Sequence, residues 1–188
     1  MRGRGLAVTA TREPGGTRLG DELRRLLLQR HDLELEPLSE ALLLEASRAQ
    51  LVHTVIRPAL ARADVVVTDR YTASTVAYQG HGRGLDPRAL AELNALATAG
   101  LEPDLTILLD LPVEVGLARK RRQAGAETSA VEDRFEAEER VFHERVRAGY
   151  QALAAAGGDR WLCLDAQRRP EELADLIWGR VAEVMGLP

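Results

Sequence analysis

A chain of 188 residues, 45% hydrophobic and 29% charged, has the size and apolar content of one domain with a full core. Its formal net charge of −4 argues against a protein held to nucleic acid mainly by excess basic charge, though not against a local basic site. The lone Cys163 excludes an intrachain disulfide and a cysteine metal cluster, and His31, His53, His81 and His143 show no ligand spacing.

No apolar run approaches the ~18 residues of a membrane helix, and nothing like a signal peptide precedes the first apolar run. The cytoplasm is the expected address. Among the 25 Lys plus Arg only Lys120 is a lysine.

The first strand is expected at Leu6–Ala10, ended by TREPGGT (Thr11–Thr17). The loop at the carboxyl end of a parallel strand is where ligands bind in α/β sheets. Its glycines admit close backbone approach, and Arg12 is suited to an anion. The alternative is a plain turn with a surface charge pair. A helix follows over Thr17–Arg30, with Leu19, Leu23, Leu26 and Leu27 on one face. Ser39 is expected to cap a long helix to about Leu60, bent near Pro58.

Val65–Asp69 (VVVTD) is the second strand. Asp86-Pro87 opens a helix that Gly100 closes. Leu105–Leu111 is the third strand, and Pro112 starts the next helix. Val131–Ala156 predicts a long helix ended by Gly157-Gly158, before the strand Trp161–Asp165 and a last helix, Pro170–Met185. Continuous apolar strands alternating with helices predict an α/β, doubly wound parallel sheet.

Chemistry concentrates in three stretches. VVVTDRYTASTVAYQG (Val65–Gly80) places Asp69 at a strand's carboxyl end, where a carboxylate can hold Mg²⁺ or its water near phosphates, and Arg70 beside it for bidentate phosphate contact. Ser74 and Tyr78 then share a helical face. A buried structural ion pair is the competing reading of Asp69-Arg70.

ALLLEASRAQLV (Ala41–Val52) places Leu44 and Arg48 on one face, with Leu42, Leu43 and Ile56 as expected core; by pattern alone Arg48 is an ordinary solvated residue. LARKRRQAG (Leu117–Gly125) sets Arg119, Lys120, Arg121 and Arg122 before the small, polar loop Gln123–Ala130. The run is either a solvated face near a helix C-terminus or a flap bringing guanidinium groups to a transferring phosphoryl group. Asp133-Arg134-Phe135-Glu136 lies beyond that loop.

TREPGGT with LGDELRRLLL, EALLLEASRAQLVHTVIRPAL, DRYTASTVAYQGHGRGLD, PDLTILLDLPVEVGLARKR and DRFE, in this order and spacing over nearly the whole chain, resembles the thymidylate kinase family. The resemblance implies a P-loop nucleoside monophosphate kinase-like fold with strand order 2-3-1-4-5. It implies transfer of the ATP γ-phosphoryl group to dTMP, with Mg²⁺, in a homodimer joined through helices, the apolar Ser39–Leu60 and Pro170–Met185 being candidates.

By the same resemblance Arg12 and Arg70 contact the acceptor phosphate and Glu13 orders the pocket. Arg48 hydrogen-bonds the thymine base, and Ser74, Thr75, Tyr78 and Gln79 enclose base and sugar. Asp69 belongs to the Mg²⁺ and phosphate network. Arg119, Arg121 and Arg122 belong to a lid at about 119–134, with Glu136 beyond it.

The chain departs from the family pattern in three places. Leu44 stands where the family has a phenylalanine that stacks on thymine, forfeiting about 0.5–1.5 kcal/mol of aromatic preference. Thr75 stands where relatives often carry Asn. No G-x-x-x-x-G-K-[ST] phosphate loop occurs anywhere, and Lys120 has no glycine loop before it. Family strand 1 and its P-loop are therefore expected to be absent from this single, N-terminally truncated domain, leaving it with little activity alone. A start site set too far downstream is the favoured reason, then a fragment, then a degenerate paralogue. The rival readings of function are a non-catalytic nucleotide-binding paralogue and another nucleoside monophosphate kinase of this fold.

Overall fold

The structure is a computed structural model that describes residues 1, 3, 5–29, 33–126, 135 and 138–187; of the side chains at 120–126 it describes only Arg122. Among the described residues four strands alternate with helices: β1 (Val8–Arg12), α1 (Arg18–Gln29), α2 (Pro37–Leu51), α3 (Arg57–Ala61), β2 (Val65–Asp69), α4 (Thr72–Thr75), α5 (Pro87–Thr98), β3 (Thr106–Asp110), α6 (Val113–Ala126), α7 (Arg140–Gly157), β4 (Trp161–Asp165) and α8 (Pro170–Val184). π-helical turns join α2 to α3 (Val52–Ile56) and extend α4 (Val76–Gly82).

Local chemistry explains most boundaries. Thr17 Oγ1 accepts from Gly20 N at 2.9 Å and starts α1. The N-cap of α2 is Glu36 with Pro37 in the first turn, so Ser39 lies inside the helix and does not cap it. The wide turn at Val52–Ile56 runs straight into α3, where Pro58, which has no N–H to donate, follows in the first turn. Asp86 caps α5 as expected, accepting from Arg88 N at 2.9 Å.

β1 lies two residues later than expected, because Thr11 and Arg12 join the ladder opposite Thr68 and Asp69. The helix expected from Val131 begins at Arg140 among the described residues; Phe135 lies in a turn, Glu138 and Glu139 precede the helix, and 131–134 and 136–137 lie outside the description.

The expected single sheet is two parallel pairs, β1–β2 and β3–β4. Val8 faces Val65 through Arg12 and Asp69 in the first, and Thr106 faces Trp161 through Asp110 and Asp165 in the second. Among the described residues no strand pairs with the second edge of β2 or β3. Even the middle of these strands is partly open: Val67 is 42% exposed and Leu109 49%.

The core is correspondingly divided. Leu51, Val52 and Ile56 pack with Val66, Tyr71 and Leu101 against β2. Ala77, Phe142 and Val146 pack with Tyr78, Phe135 and Tyr150 between the π-helical turn and α7. Gly82 permits that second contact, since a Cβ there would lie 2.6 Å from the Phe142 ring. Leu42, expected in the core, is 48% exposed on the outer face of α2. No described helix is long and apolar enough to cross a membrane.

Candidate active site

Each described strand ends on a charge: Arg12 faces Asp69 at the ends of β1 and β2, and Asp110 faces Asp165 at the ends of β3 and β4. Beyond β1 the ladder continues through Glu13 N donating to Asp69 O at 2.9 Å. The loop then turns at Gly16, whose φ of +73° and absent Cβ (one would lie 2.3 Å from Thr11 Oγ1) require glycine. Arg12 remains exposed, 3.9 Å from Asp21 of α1.

Arg48 is the best-held side chain of the site and is only 2% exposed, so the reading of it as a solvated residue is overturned. Its Nε and Nη2 reach Glu13 Oε2 at 2.8 and 2.7 Å. Nη1 donates to Glu45 Oε1, to Thr75 Oγ1 at 2.9 Å and to Asn94 Oδ1 at 2.7 Å. The Tyr71 ring lies 5.5 Å away. Four elements meet on one guanidinium.

The electrostatics follow from burial. Desolvation pushes the Glu13 carboxyl above its ordinary range, outweighing the pull of Arg48. Burial, with the charge of Glu13, pushes the Tyr71 phenol up to about 12.

A second cluster lies beside β2. Arg70 has a φ of +71°, a left-handed conformation that costs a non-glycine residue about 1–3 kcal/mol and is found at functional sites. Its guanidinium lies 4.8 Å over the Tyr78 ring and donates to the hydroxyls of Tyr78 at 3.2 Å and Tyr150 at 3.5 Å. Ser74 Oγ lies 2.7 Å from Tyr150 Oη. Phe135, Phe142 and Tyr150 meet Tyr78 edge-on, with centroids 5.4 to 6.3 Å apart.

The expected residues thus fall into groups. Glu13, Arg48 and Thr75 share one network, and Arg70, Ser74 and Tyr78 another, joined along α4 and its π-helical extension. Gln79 is buried and donates to Glu40 Oε1 at 2.8 Å. Leu44 is half-buried on α2, one turn before Arg48. Asp69 and Arg70 are both exposed, unlike a buried structural pair.

The basic run stands apart from both networks. Arg119 donates to Ala166 O at 3.0 Å and Arg122 to Ala118 O at 3.3 Å, both exposed on α6. The side chain of Arg121, and all of Asp133, Arg134 and Glu136, lie outside the described residues.

Sequence reasoning missed Glu45, Asn94, Glu40, Tyr71 and Tyr150. Glu45 carried a signal, three residues before Arg48 on one helix. Asn94 and Tyr150 carried none, since only tertiary packing brings them in.

A family model for thymidylate kinase matches residues 1–177. A thymidylate kinase of Solidesulfovibrio magneticus is 53% identical over 182 residues, covering 96% of this chain and 87% of that protein. One of Thermomicrobium roseum is 51% identical over 185 residues, covering 98% and 85%. The crystal structure of the thymidylate kinase of Ehrlichia chaffeensis superposes with a TM-score of 0.65 at 30% identity, over 84% of this chain and 73% of that one, and so shares an α/β nucleoside monophosphate kinase-like fold. Charged strand ends on this fold, with such relatives along nearly the whole chain, lead to one conclusion: the chain belongs to the thymidylate kinase family and is a phosphotransferase of nucleotide biosynthesis.

Proposed function

We propose that this chain forms the acceptor half of a cleft that transfers the γ-phosphoryl group of ATP to dTMP, giving dTDP. The observation that carries the proposal is the meeting of Arg70, Ser74, Tyr78 and Tyr150 beside the carboxyl end of β2, next to the buried Arg48 network. Arg12 and Arg70 take the acceptor phosphate. Ser74 and Tyr78 face base and sugar, with Leu44 packing on the ring. Arg48 addresses the base, ordered by Glu13 and backed by Thr75, while Gln79 supports the pocket from behind.

Such transfer needs positioning and charge stabilisation and no covalent enzyme intermediate. Arg119, Arg121 and Arg122, within a lid at about 119–134, supply positive charge to the transferring group. Among the described residues no three ligating side chains cluster for a metal. Asp69 alone fits a Mg²⁺ that arrives on nucleotide phosphates, since Mg²⁺ is commonly held by one or two carboxylates plus substrate oxygens.

The donor phosphates find no cradle in these 188 residues, which contain no G-x-x-x-x-G-K-[ST]. The unpaired edges of β2 and β3 support a strand from outside this sequence seated between them, carrying that loop and completing the order 2-3-1-4-5. Seating it would pair the edge groups of β2 and β3 and cover the exposed Val67 and Leu109, which would also stabilise the domain. The chain is then a single truncated domain with little activity alone. A cytoplasmic homodimer, with no nucleic-acid or membrane partner, completes the proposal; the exposed Leu38 and Leu42 of α2 support a helix-mediated contact.

ATP-dependent phosphorylation of dTMP, measured on this chain and on one extended upstream in frame, tests the reading. Turnover only in the extended chain is expected. Turnover in neither, with dTMP still bound, favours a non-catalytic paralogue. Preference for dUMP, dGMP or dAMP favours another monophosphate kinase.

A further inference from the structure

An arginine offers one N–H on Nε and two on each terminal nitrogen. In Arg48, Nε donates to Glu13 Oε2, Nη2 lies 2.7 Å from the same oxygen as an ion pair, and Nη1 divides its two hydrogens among Glu45, Thr75 and Asn94. Among the described residues Nη2 meets only that one oxygen, so its second hydrogen remains for another acceptor.

Charge neutrality does not explain this arrangement. Glu13 alone would pair Arg48, yet Glu45 is a second carboxylate, 5% exposed, and its Oε2, like Oε1 of Glu13, is buried with no hydrogen-bond partner. An extra carboxylate with an orphaned oxygen destabilises a buried site, so an ion pair kept for stability would omit it. Asn94 reaches the same Nη1 from α5, across the site from Glu45 on α2.

Resting on the reading that Arg48 addresses the acceptor's base, we propose that Glu45 and Asn94 are positioning residues. They fix the plane of the Arg48 guanidinium so that its one remaining Nη2 hydrogen is presented to the base. Leu44 makes this matter more here. Without an aromatic face to stack on, the orientation of the base depends more heavily on the direction of that hydrogen bond.

The test is dTMP affinity, by calorimetry on the 188-residue chain carrying Asn94→Ala or Glu45→Gln, with thermal unfolding alongside. Each substitution is expected to raise Kd by about tenfold or more, the range of a lost hydrogen bond to a charged group. Arg48→Lys combined with Asn94→Ala should bind no worse than Arg48→Lys alone, because residues acting through one guanidinium are not additive.

A shift in Tm with Kd unchanged overturns the proposal, as does an additive loss in the double variant. Should Glu45→Gln fail to fold, Asn94→Ala, which removes no charge, carries the test. Absence of dTMP binding in the unsubstituted chain overturns the functional reading beneath it, and the inference falls with it.

Discussion

The two strand pairs carry arginine–carboxylate ion pairs in opposite surroundings. Beside β1–β2, Arg48 is sealed with Glu13 and Glu45, all three at most 5% exposed. Beside β3–β4, Arg147 holds Asp110 with two hydrogen bonds of 2.8 Å, but the side chains are 34% and 28% exposed. That pair borders an open groove of about 300 Å³ lined also by Cys163, Asp165 and Gln167, and a second groove of about 480 Å³ runs between Leu109 and α8. One half is closed around its charges, and the other waits on solvent. The difference predicts that burial, more than hydrogen-bond count, sets the cost of breaking such a pair.

The largest expected effect breaks the closed half. Arg48→Leu leaves Glu13 and Glu45 buried without their cation and should cost about 3–5 kcal/mol in denaturant unfolding. Arg147→Leu should cost no more than about 1 kcal/mol, because water screens Asp110. Equal costs would erase the distinction.

Apolar side chains should divide in the same way. Leu51 is fully buried, so Leu51→Ala should lose about 2–5 kcal/mol, whereas Leu109→Ala, on the open β3, should stay within about 1 kcal/mol. A comparable loss at Leu109 would mean that its face is covered in solution.

The pH dependence should have opposite signs in the two halves. Burial raises the Glu13 carboxyl above its ordinary 4.5, so the folded state holds that proton more tightly than the unfolded chain. Glu13 therefore costs stability above its raised value, and the cost disappears as pH falls through that value to 4.5. The hydrogen bond from Arg147 lowers Asp110 below its ordinary 3.8, so its contribution is complete above 3.8 and is lost as pH falls through the lowered value. Stability-against-pH curves should thus lose slope above 4.5 in Glu13→Gln and below 3.8 in Asp110→Asn. Slopes of one sign in both windows would contradict this assignment.

The smallest effect sharpens the picture at the base. Leu44→Phe should tighten dTMP by about 0.5–1.5 kcal/mol in calorimetry, by restoring an aromatic face. No gain would place Leu44 away from the ring.

Much of this architecture was legible in advance. Val65–Asp69 and Trp161–Asp165 are strands at the expected bounds because each is a continuous apolar run stopped by an aspartate. The Asp86-Pro87 helix start follows from local capping chemistry. What escaped was set by distant partners. Thr11 and Arg12 look like loop until Thr68 and Asp69 are laid beside them. Arg48 looks solvated because three of its partners, Glu13, Thr75 and Asn94, lie 35, 27 and 46 residues away along the chain. Tyr150, midway along α7, shows its role only when that helix packs against Ser74 and Arg70.

That these strand ends make the acceptor side of a kinase is tested most directly by titrating dTMP into the 188-residue chain and its Arg70→Ala variant. Saturable binding at one site per chain, weakened by about tenfold or more in the variant, is the predicted result. Heat changes no larger than dilution, or equal affinity without the arginine, would contradict it.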